Sequence, residues 1–136
     1  IVLHGIMERA RTIEDIHSAI ESLVIDRVLS ADSAQMLTSQ LEQVVSNPAV
    51  ADWFSDQWQQ IHIENSIIAP GIGTRRPDRV MINGNKAIVV DYKFGERNNS
   101  YRKQIALYCS LLKKMGYSET KGYLWYVREG DIEEVI

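Results

Sequence analysis

The first half of the chain carries its hydrophobic residues at helical spacing. In residues 12–29, Ile13, Ile16 and Ile20 fall on one face of a predicted helix. The opening ten residues resemble the last turns of a preceding helix, and two more candidate helices follow at 30–46 and from residue 47. Typical capping side chains mark where these helices begin: Thr12 with Asp15 three residues later, Ser30 or Asp32, and Asn47 followed by Pro48.

In the second half, the spacing of the hydrophobic residues changes to that of strands. Residues 60–69 alternate between apolar and polar side chains, as a half-buried strand does. The segments 76–83 and 86–94 form two further predicted strands. Asn-Gly-Asn joins them, and this turn sequence is a strong signal for a hairpin.

A helix and two more strands are predicted after the hairpin. The helix covers 98–116 and ends at a glycine. Residues 121–136 then predict a strand, a turn at Glu129-Gly130 and the start of another strand. The order β–β–β–α–β–β after the N-terminal helices predicts an α/β (α+β) fold, with a mixed sheet flanked by helices in a single domain over 1–136.

The hairpin brings two acidic residues together in strands that are otherwise apolar. A turn centred on 83–84 places Asp78 diagonal to Asp91, whereas a turn centred on 84–85 places the two acids directly opposite each other. Both registers put the acids on one face, with Cβ atoms ~5–8 Å apart. A three-residue loop would instead separate them across the sheet. Lys93 lies two residues after Asp91 and therefore shares its face.

This set of charges is suited to binding a metal ion. Two carboxylates at such a distance repel unless a proton or a cation lies between them, and hard divalent ions such as Mg²⁺ prefer oxygen ligands. A lysine beside the metal can stabilise charge that builds on a phosphate. For Asp91 and Lys93 alone, a simple ion pair at a strand end is the more economical explanation. Asp78 on the same face favours a metal site.

Composition excludes several kinds of site. The single cysteine, Cys109, rules out an internal disulfide and any thiolate zinc or iron–sulfur site built within this chain. No apolar run approaches the ~20 residues that cross a bilayer, and no signal-peptide pattern opens the sequence. We therefore expect a cytoplasmic protein without a membrane partner. The chain opens without Met and part-way through a helical pattern, so we also expect a fragment of a longer polypeptide.

Charge is unevenly distributed along the chain. Residues 1–74 hold three Lys/Arg against ten Asp/Glu, whereas residues 75–103 hold eight against three, a local net of +5. The positive segment is the one that contains the two acids of the hairpin. A basic segment of this kind binds phosphates irrespective of the global charge of −3, although alone it is equally explained as a solvated loop.

The wider set of motifs resembles a known family. Residues 77–78 and 91–93, Pro-Asp followed by Asp-Tyr-Lys, are similar to the PD-(D/E)xK signature of restriction-endonuclease-like nucleases. The segments LHGIMERARTIEDI, RPDRVM, VVDYKFG and QIALYCSLL extend the likeness. Together they resemble the RecB/AddA-type nuclease domain at the C-terminus of UvrD-like helicase–nucleases. The resemblance runs from His4 to about residue 127, and the helical insert 12–56 is its least diagnostic part.

The resemblance implies a role for each matching residue of the metal site. Asp78 and Asp91 correspond to the two metal-binding acids, and Lys93 corresponds to the catalytic lysine that positions or polarises the attacking water. His4, which alone would be assigned a structural role, corresponds to a histidine that joins the metal site. Glu64, alone an ordinary acid at a strand end, corresponds to an acid on the strand before the first Asp.

Further residues are implied to support the site or to bind DNA. Gln104 and Tyr108 are four positions apart on one helical face. Without the resemblance, this spacing is explained by inward packing of the tyrosine. In the family that the chain resembles, the two residues match a helix pair that supports the site and contacts DNA. The basic residues expected to neutralise backbone phosphates are Arg75, Arg76, Arg79, Arg97, Arg102 and Lys103.

The implied function is hydrolysis of DNA phosphodiester bonds in a restriction-endonuclease-like fold. The implied cofactor is Mg²⁺, with Mn²⁺ as a substitute and no iron–sulfur cluster. The implied context is an exonuclease domain in an ATP-dependent helicase–nuclease of recombinational DNA repair. Its partners are DNA, a helicase motor in the same longer chain and a second helicase–nuclease subunit.

Two other interpretations stay open at this point. In the first, the chain is a catalytically silent DNA-binding module within a helicase complex, although a decayed site should have lost at least one of Asp78, Asp91 and Lys93. In the second, the chain is a scaffold whose charges form only ion pairs. Metal binding separates the scaffold from the other two interpretations, and DNA cleavage separates the nuclease from the silent module.

Overall fold

Four helices form the N-terminal part of the protein. The structure is a computed structural model that describes residues 2–63 and 77–136, with side chains from residue 5 onward. Within it, the chain divides into two compact units, Ile1–Gln57 and Trp58–Ile136. The first unit contains α1 (Val2–Arg9), α2 (Ile13–Ile25), α3 (Ala31–Val45) and α4 (Pro48–Trp53). The prediction of a single domain over 1–136 stays a prediction.

Local side-chain chemistry explains where the helices of the first unit begin. The Thr12 hydroxyl accepts a hydrogen bond from the Asp15 N–H at 3.4 Å, and the Asp15 carboxylate accepts from the Thr12 N–H at 3.2 Å, which completes a capping box. Ser30, rather than the alternative Asp32, caps α3. Asn47 caps α4, and Pro48 occupies its first position. These predicted helix starts are confirmed.

In the residues that the structure describes, the second unit is a five-stranded mixed sheet with one long helix. It contains β1 (Gln60–Ile63), β2 (Arg79–Asn83), β3 (Lys86–Lys93), α5 (Asn99–Lys114), β4 (Glu119–Tyr126) and β5 (Asp131–Glu134). The strands lie in sequence order, and all neighbours are antiparallel except β3 and β4. Helix α5 connects these two, as a parallel pair requires a crossover. The predicted mixed sheet flanked by helices is confirmed, and the strand predicted at 60–69 is described only to Ile63.

Helix α5 packs on one face of the sheet and forms the core of the second unit with it. The buried cluster joins side chains of β2, β3 and β4 to Ile105, Tyr108, Cys109 and Leu112 of the helix. Gly122 in β4 allows the close approach, because a Cβ there would lie 2.3 Å from Cγ2 of Ile105. The helix therefore stands at a fixed distance from the strands that carry the acidic residues.

Candidate active site

The hairpin adopts one of the two predicted registers. Arg79 pairs with Val90, and the two-residue turn is 84–85. The turn glycine has a φ of +58°, a conformation that a residue with a side chain rarely adopts. Continuing this pairing by one residue places Asp78 directly opposite Asp91, at the end of the sheet where β2 begins and β3 ends.

Backbone hydrogen bonds hold both carboxylates in place. The Asp78 N–H donates to Oδ1 of Asp91 at 2.9 Å, and the Tyr92 N–H donates to Oδ2 of Asp78 at 2.8 Å. Each carboxylate is thus bound through one oxygen to the opposite strand. Asp91 is buried, and Asp78 is half-buried. The two acids therefore present oxygen atoms in an orientation that the sheet itself determines.

Burial makes the ionised form of Asp91 costly. Loss of hydration raises the pKa of the Asp91 carboxyl above its ordinary value, whereas the Asp78 N–H and the Lys93 ammonium oppose this rise. Nζ of Lys93 lies 3.9 Å from Oδ2 of Asp91. A cation bound between the acids would offset both the lost hydration and the repulsion between the carboxylates. The chemistry of the donor set, two oriented carboxylates, fits a hard divalent ion such as Mg²⁺ or Mn²⁺.

Lys93 has a second partner that sequence reasoning missed. Its Nζ lies 4.1 Å from the ring centroid of Tyr101, in the first turns of α5. The signal was available, since Tyr101 precedes Gln104 by three residues and Tyr108 by seven, and these spacings define one helical face. It was missed because no pattern within the chain indicates that this face lies against the end of β3.

The two predicted helix residues differ in their surroundings. Tyr108 is buried in the cluster between α5 and the sheet, together with Val80, Val89 and Leu124. Gln104 is half-buried, one turn nearer the start of the helix. Tyr108 therefore contributes to the packing that holds α5 on the sheet. Their predicted contact with DNA stays a prediction.

Arg79 differs from its predicted role. Its side chain is fully buried, at 0% exposure, and its Nε donates to Sδ of Met81 at 3.4 Å. It alternates with Asp78 along the strand and therefore points to the opposite face of the sheet. A DNA backbone at the surface does not reach a guanidinium in this position, so the structure corrects the expectation that Arg79 binds phosphate.

Arg97 and Arg102 are exposed and bind acidic residues of β5. The Arg97 guanidinium forms ion pairs with Asp131 and, at 3.3 Å, with Glu133, and Arg102 also binds Glu133. We define these four side chains as the arginine–acid cluster. Glu133 pairs with Leu124 across the sheet, and Leu124 pairs with Asp91. The cluster therefore shares a face with Asp91, two strand spacings or roughly 10 Å away.

Several predicted site residues lie outside the part of the chain that the structure describes. These are Glu64, Arg75 and Arg76, and also the side chain of His4, whose backbone belongs to α1. Lys103 is described and exposed. Over the described side chains, residues 5–63 and 77–136, no group of three or more His, Cys, Asp and Glu is arranged to hold a metal. Asp78 and Asp91 are the described acids of the predicted site.

None of the described helices is long and apolar enough to span a bilayer.

Comparison with known proteins agrees with the geometry of the hairpin. The family described as the PD-(D/E)XK nuclease superfamily has a model that matches residues 1–135, which is nearly the whole chain. A search of curated proteins finds no match. The family match covers both acids, the lysine and helix α5.

Proposed function

Because this chain belongs to the PD-(D/E)XK nuclease superfamily, we propose that it is a metal-dependent deoxyribonuclease that hydrolyses the phosphodiester bonds of DNA. The strongest support for the proposal is the arrangement of two acids and a lysine at the end of the hairpin. Asp78 and Asp91 lie directly opposite each other with their carboxylates bound to backbone N–H groups, and Lys93 lies 3.9 Å from Asp91. Such an arrangement of two acids and a lysine has a clear chemical use in phosphodiester hydrolysis.

Asp78 and Asp91 are the residues that would hold Mg²⁺, or Mn²⁺ in its place. When bound, the ion supplies Lewis-acid polarisation of the scissile phosphate and lowers the pKa of water. The backbone N–H groups keep both carboxylates oriented without reorganisation during the reaction. The Lys93 ammonium donates hydrogen bonds towards the attacking water or the phosphate oxygens, where negative charge develops in the transition state.

Residues around the acids complete the proposed site. Gln104 and Tyr108 support the site from α5, and Tyr108 does so through the buried packing of the helix. Arg97, Arg102 and Lys103 neutralise backbone phosphates, which makes binding sequence-independent and sensitive to salt. The remaining assignments that follow from the resemblance are also part of the proposal: His4 and Glu64 at the metal, and Arg75 and Arg76 on phosphates.

The motifs VVDYKFG and QIALYCSLL support a more specific assignment. They resemble the RecB/AddA-type nuclease domain, so we place this chain in an ATP-dependent helicase–nuclease of recombinational repair, where it acts as an Mg²⁺-dependent exonuclease. A helicase motor in the same longer chain would deliver the DNA, with a second helicase–nuclease subunit as partner. The corresponding location is the cytoplasm of a bacterial-type cell.

The alternative function is a silent DNA-binding module of a helicase complex. Asp78, Asp91 and Lys93 are all present, and two of them are held by backbone hydrogen bonds. A domain that only binds DNA has no need for two oriented carboxylates near the phosphate, because they repel it. The arrangement therefore favours catalysis over silent binding.

The test is degradation of labelled linear single- and double-stranded DNA with Mg²⁺ or Mn²⁺, with wild type beside Lys93→Ala and Asp91→Ala. We expect metal-dependent cleavage that Asp91→Ala abolishes and that Lys93→Ala lowers by about a hundredfold or more, to a measurable residual rate. Mn²⁺ binding by calorimetry without cleavage would favour the silent module. If wild type neither cleaves DNA nor binds metal, the nuclease proposal is overturned and the charges are only ion pairs.

A further inference from the structure

We infer that Tyr101 is a positioning residue for Lys93, and that the face of its ring holds the lysine ammonium beside the two acids. The inference rests on the proposed function, because it takes Lys93 as the catalytic lysine. It adds a residue of α5 that neither the signature motif nor the helix pair at 104 and 108 includes. The observation behind it is the distance of 4.1 Å between Nζ of Lys93 and the ring centroid of Tyr101.

This distance is well inside the range of an effective cation–π interaction, which extends to about 6 Å. The Lys93 side chain is only 19% exposed, so water screens the attraction less than it would at the surface. Tyr101 itself is half-buried and packs against the core cluster. The ring is therefore held by the fold, and it can in turn restrict the ammonium.

Asp91 alone does not orient the lysine. The separation of 3.9 Å between Nζ of Lys93 and Oδ2 of Asp91 is longer than a hydrogen bond, so the carboxylate attracts the ammonium without directing its N–H groups. A lysine side chain is flexible, with a stem of four carbons. The Tyr101 ring, whose centroid lies 4.1 Å from Nζ, supplies the missing restraint, because the ammonium is then attracted to a fixed ring face as well as to the Asp91 carboxylate.

The ring also keeps its attraction when the metal site is filled. A divalent cation at Asp78 and Asp91 would repel the Lys93 ammonium and would reduce the attraction of the Asp91 carboxylate. The face of Tyr101 is uncharged, and its quadrupole still favours a nearby cation. Tyr101 therefore holds Lys93 at the site under the conditions in which hydrolysis takes place.

Helix α5 places the ring accurately because its start is well defined. The Asn98 side chain caps the helix by accepting from the Ser100 N–H at 2.9 Å, and the Tyr101 N–H donates to the Asn98 carbonyl at 3.0 Å. Gly122 sets the distance between α5 and β4. The cap fixes the helix at its first turn, and Gly122 fixes it at Ile105 and Cys109, four and eight residues after Tyr101.

Tyr101→Leu and Tyr101→Phe form a matched pair for the test, since leucine keeps apolar bulk without a ring and phenylalanine keeps the ring without the hydroxyl. For Tyr101→Leu we expect kcat of Mn²⁺-dependent DNA cleavage to fall about tenfold to a hundredfold, with KM and Mn²⁺ affinity unchanged, because the lysine is misplaced and not lost. Tyr101→Phe should stay within about twofold of wild type.

A double-substitution cycle separates positioning from structural damage. If Tyr101 acts through Lys93, Tyr101→Leu has no further effect on activity once Lys93→Ala is present. A multiplicative loss in the Lys93→Ala background would overturn the inference. Equal loss in Tyr101→Phe and Tyr101→Leu would also overturn it, because the hydroxyl and not the ring would then matter.

A spectroscopic measurement keeps this inference distinct from the proposed function. The ring should displace the proton resonances of the Lys93 Cε methylene upfield in wild type and in Tyr101→Phe, and the displacement should vanish in Tyr101→Leu. If wild type shows this displacement but does not cleave DNA, the proposed function fails while the holding of Lys93 by the ring is supported. If the displacement is absent in wild type, the inference is overturned whatever the activity.

Discussion

Asp78 and Asp91 lie opposite each other on neighbouring strands, and the backbone N–H of Asp78 donates to the Asp91 carboxylate at 2.9 Å. The Asp78 carboxylate accepts in turn from the residue after Asp91. Two negative groups are thus held close together by the same ladder that holds the strands. This arrangement costs stability in the absence of a cation and provides a prepared site for one.

The first prediction concerns the cost of the buried Asp91 charge. Its pKa is raised from the ordinary value of 3.8, so the folded protein binds more protons than the unfolded chain between 3.8 and the raised pKa. Stability therefore falls as the pH rises through this window, and the full cost is reached above the raised pKa. We expect Asp91→Asn to raise the free energy of unfolding of metal-free protein by about 0.5–2 kcal/mol at pH 7.

Urea denaturation at several pH values measures this effect. The decline of stability above 3.8 should be weaker in Asp91→Asn than in wild type, whereas Glu134→Gln, an exposed acid of the same sheet, should keep the wild-type profile. Mn²⁺ at about 100 times its Kd should stabilise wild type by about 2.7 kcal/mol and the Asn variant far less. A variant that is less stable than wild type without metal would contradict the prediction.

Lys93 is predicted to act in the chemical step and not in metal binding. Lys93→Met should lower kcat by about a hundredfold or more, because it removes a donor aimed at developing charge. Mn²⁺ affinity, measured by calorimetry, should be unchanged or higher because a positive charge is removed. Lys86→Met, at the other end of β3, is the control and should retain activity. A parallel loss of Mn²⁺ binding in Lys93→Met would assign the lysine to the structure of the metal site.

The arginine–acid cluster is predicted to restrain DNA binding. Because Glu133 binds both Arg97 and Arg102, Glu133→Gln should free Arg102 for phosphate and leave Arg97 with Asp131 alone, and duplex binding should tighten about two- to fivefold at low salt. The slope of log K against log salt should steepen by about 0.9 for each additional phosphate that is neutralised. Fluorescence anisotropy across a salt series measures both quantities.

Glu134→Gln is the matched control for this charge change. Glu134 is the next residue along β5 and binds Lys121 at 3.1 Å, so the substitution removes the same charge from the same strand and leaves the two arginines paired. Weaker binding in Glu133→Gln than in this control would mean that the acid orients the arginines for DNA and does not compete with it.

Gly122 is predicted to be essential for the packing of α5. An added Cβ would lie 2.3 Å from Cγ2 of Ile105 and 2.9 Å from Sγ of Cys109, and the β-branched Ile105 has little rotamer freedom in a helix. Gly122→Ala should therefore destabilise the protein by about 1–3 kcal/mol. Gly95→Ala, which meets nothing within 4 Å, should have a much smaller effect on the denaturation midpoint. Equal denaturation midpoints for the two variants would show that α5 can shift away from β4 at little cost in stability.

Local chemistry explains why much of the fold could be predicted. Thr12 with Asp15, Ser30 and Asn47 satisfy N–H groups within three residues of themselves, so the helix starts depend on neighbours in the sequence. Strand periodicity and the Asn-Gly-Asn turn likewise act over short distances. For the same reason the proximity of Asp78 and Asp91 was predictable, since a two-residue hairpin turn brings the acids together in either register.

The contacts between segments that lie far apart in the sequence depended on the tertiary structure. The sheet selected the directly opposed register of Asp78 and Asp91, and it buried Arg79, whose charge alone had favoured a surface role. Glu133 meets Arg97 and Arg102 across more than 30 residues of chain.

The contact between Lys93 and Tyr101 has the same origin, because it depends on how closely α5 packs on β4 over Gly122. Sequence patterns report the preferences of a residue and its neighbours along the chain. The partners of a charged side chain are determined by which strands and helices pack together, and that packing is a property of the whole fold.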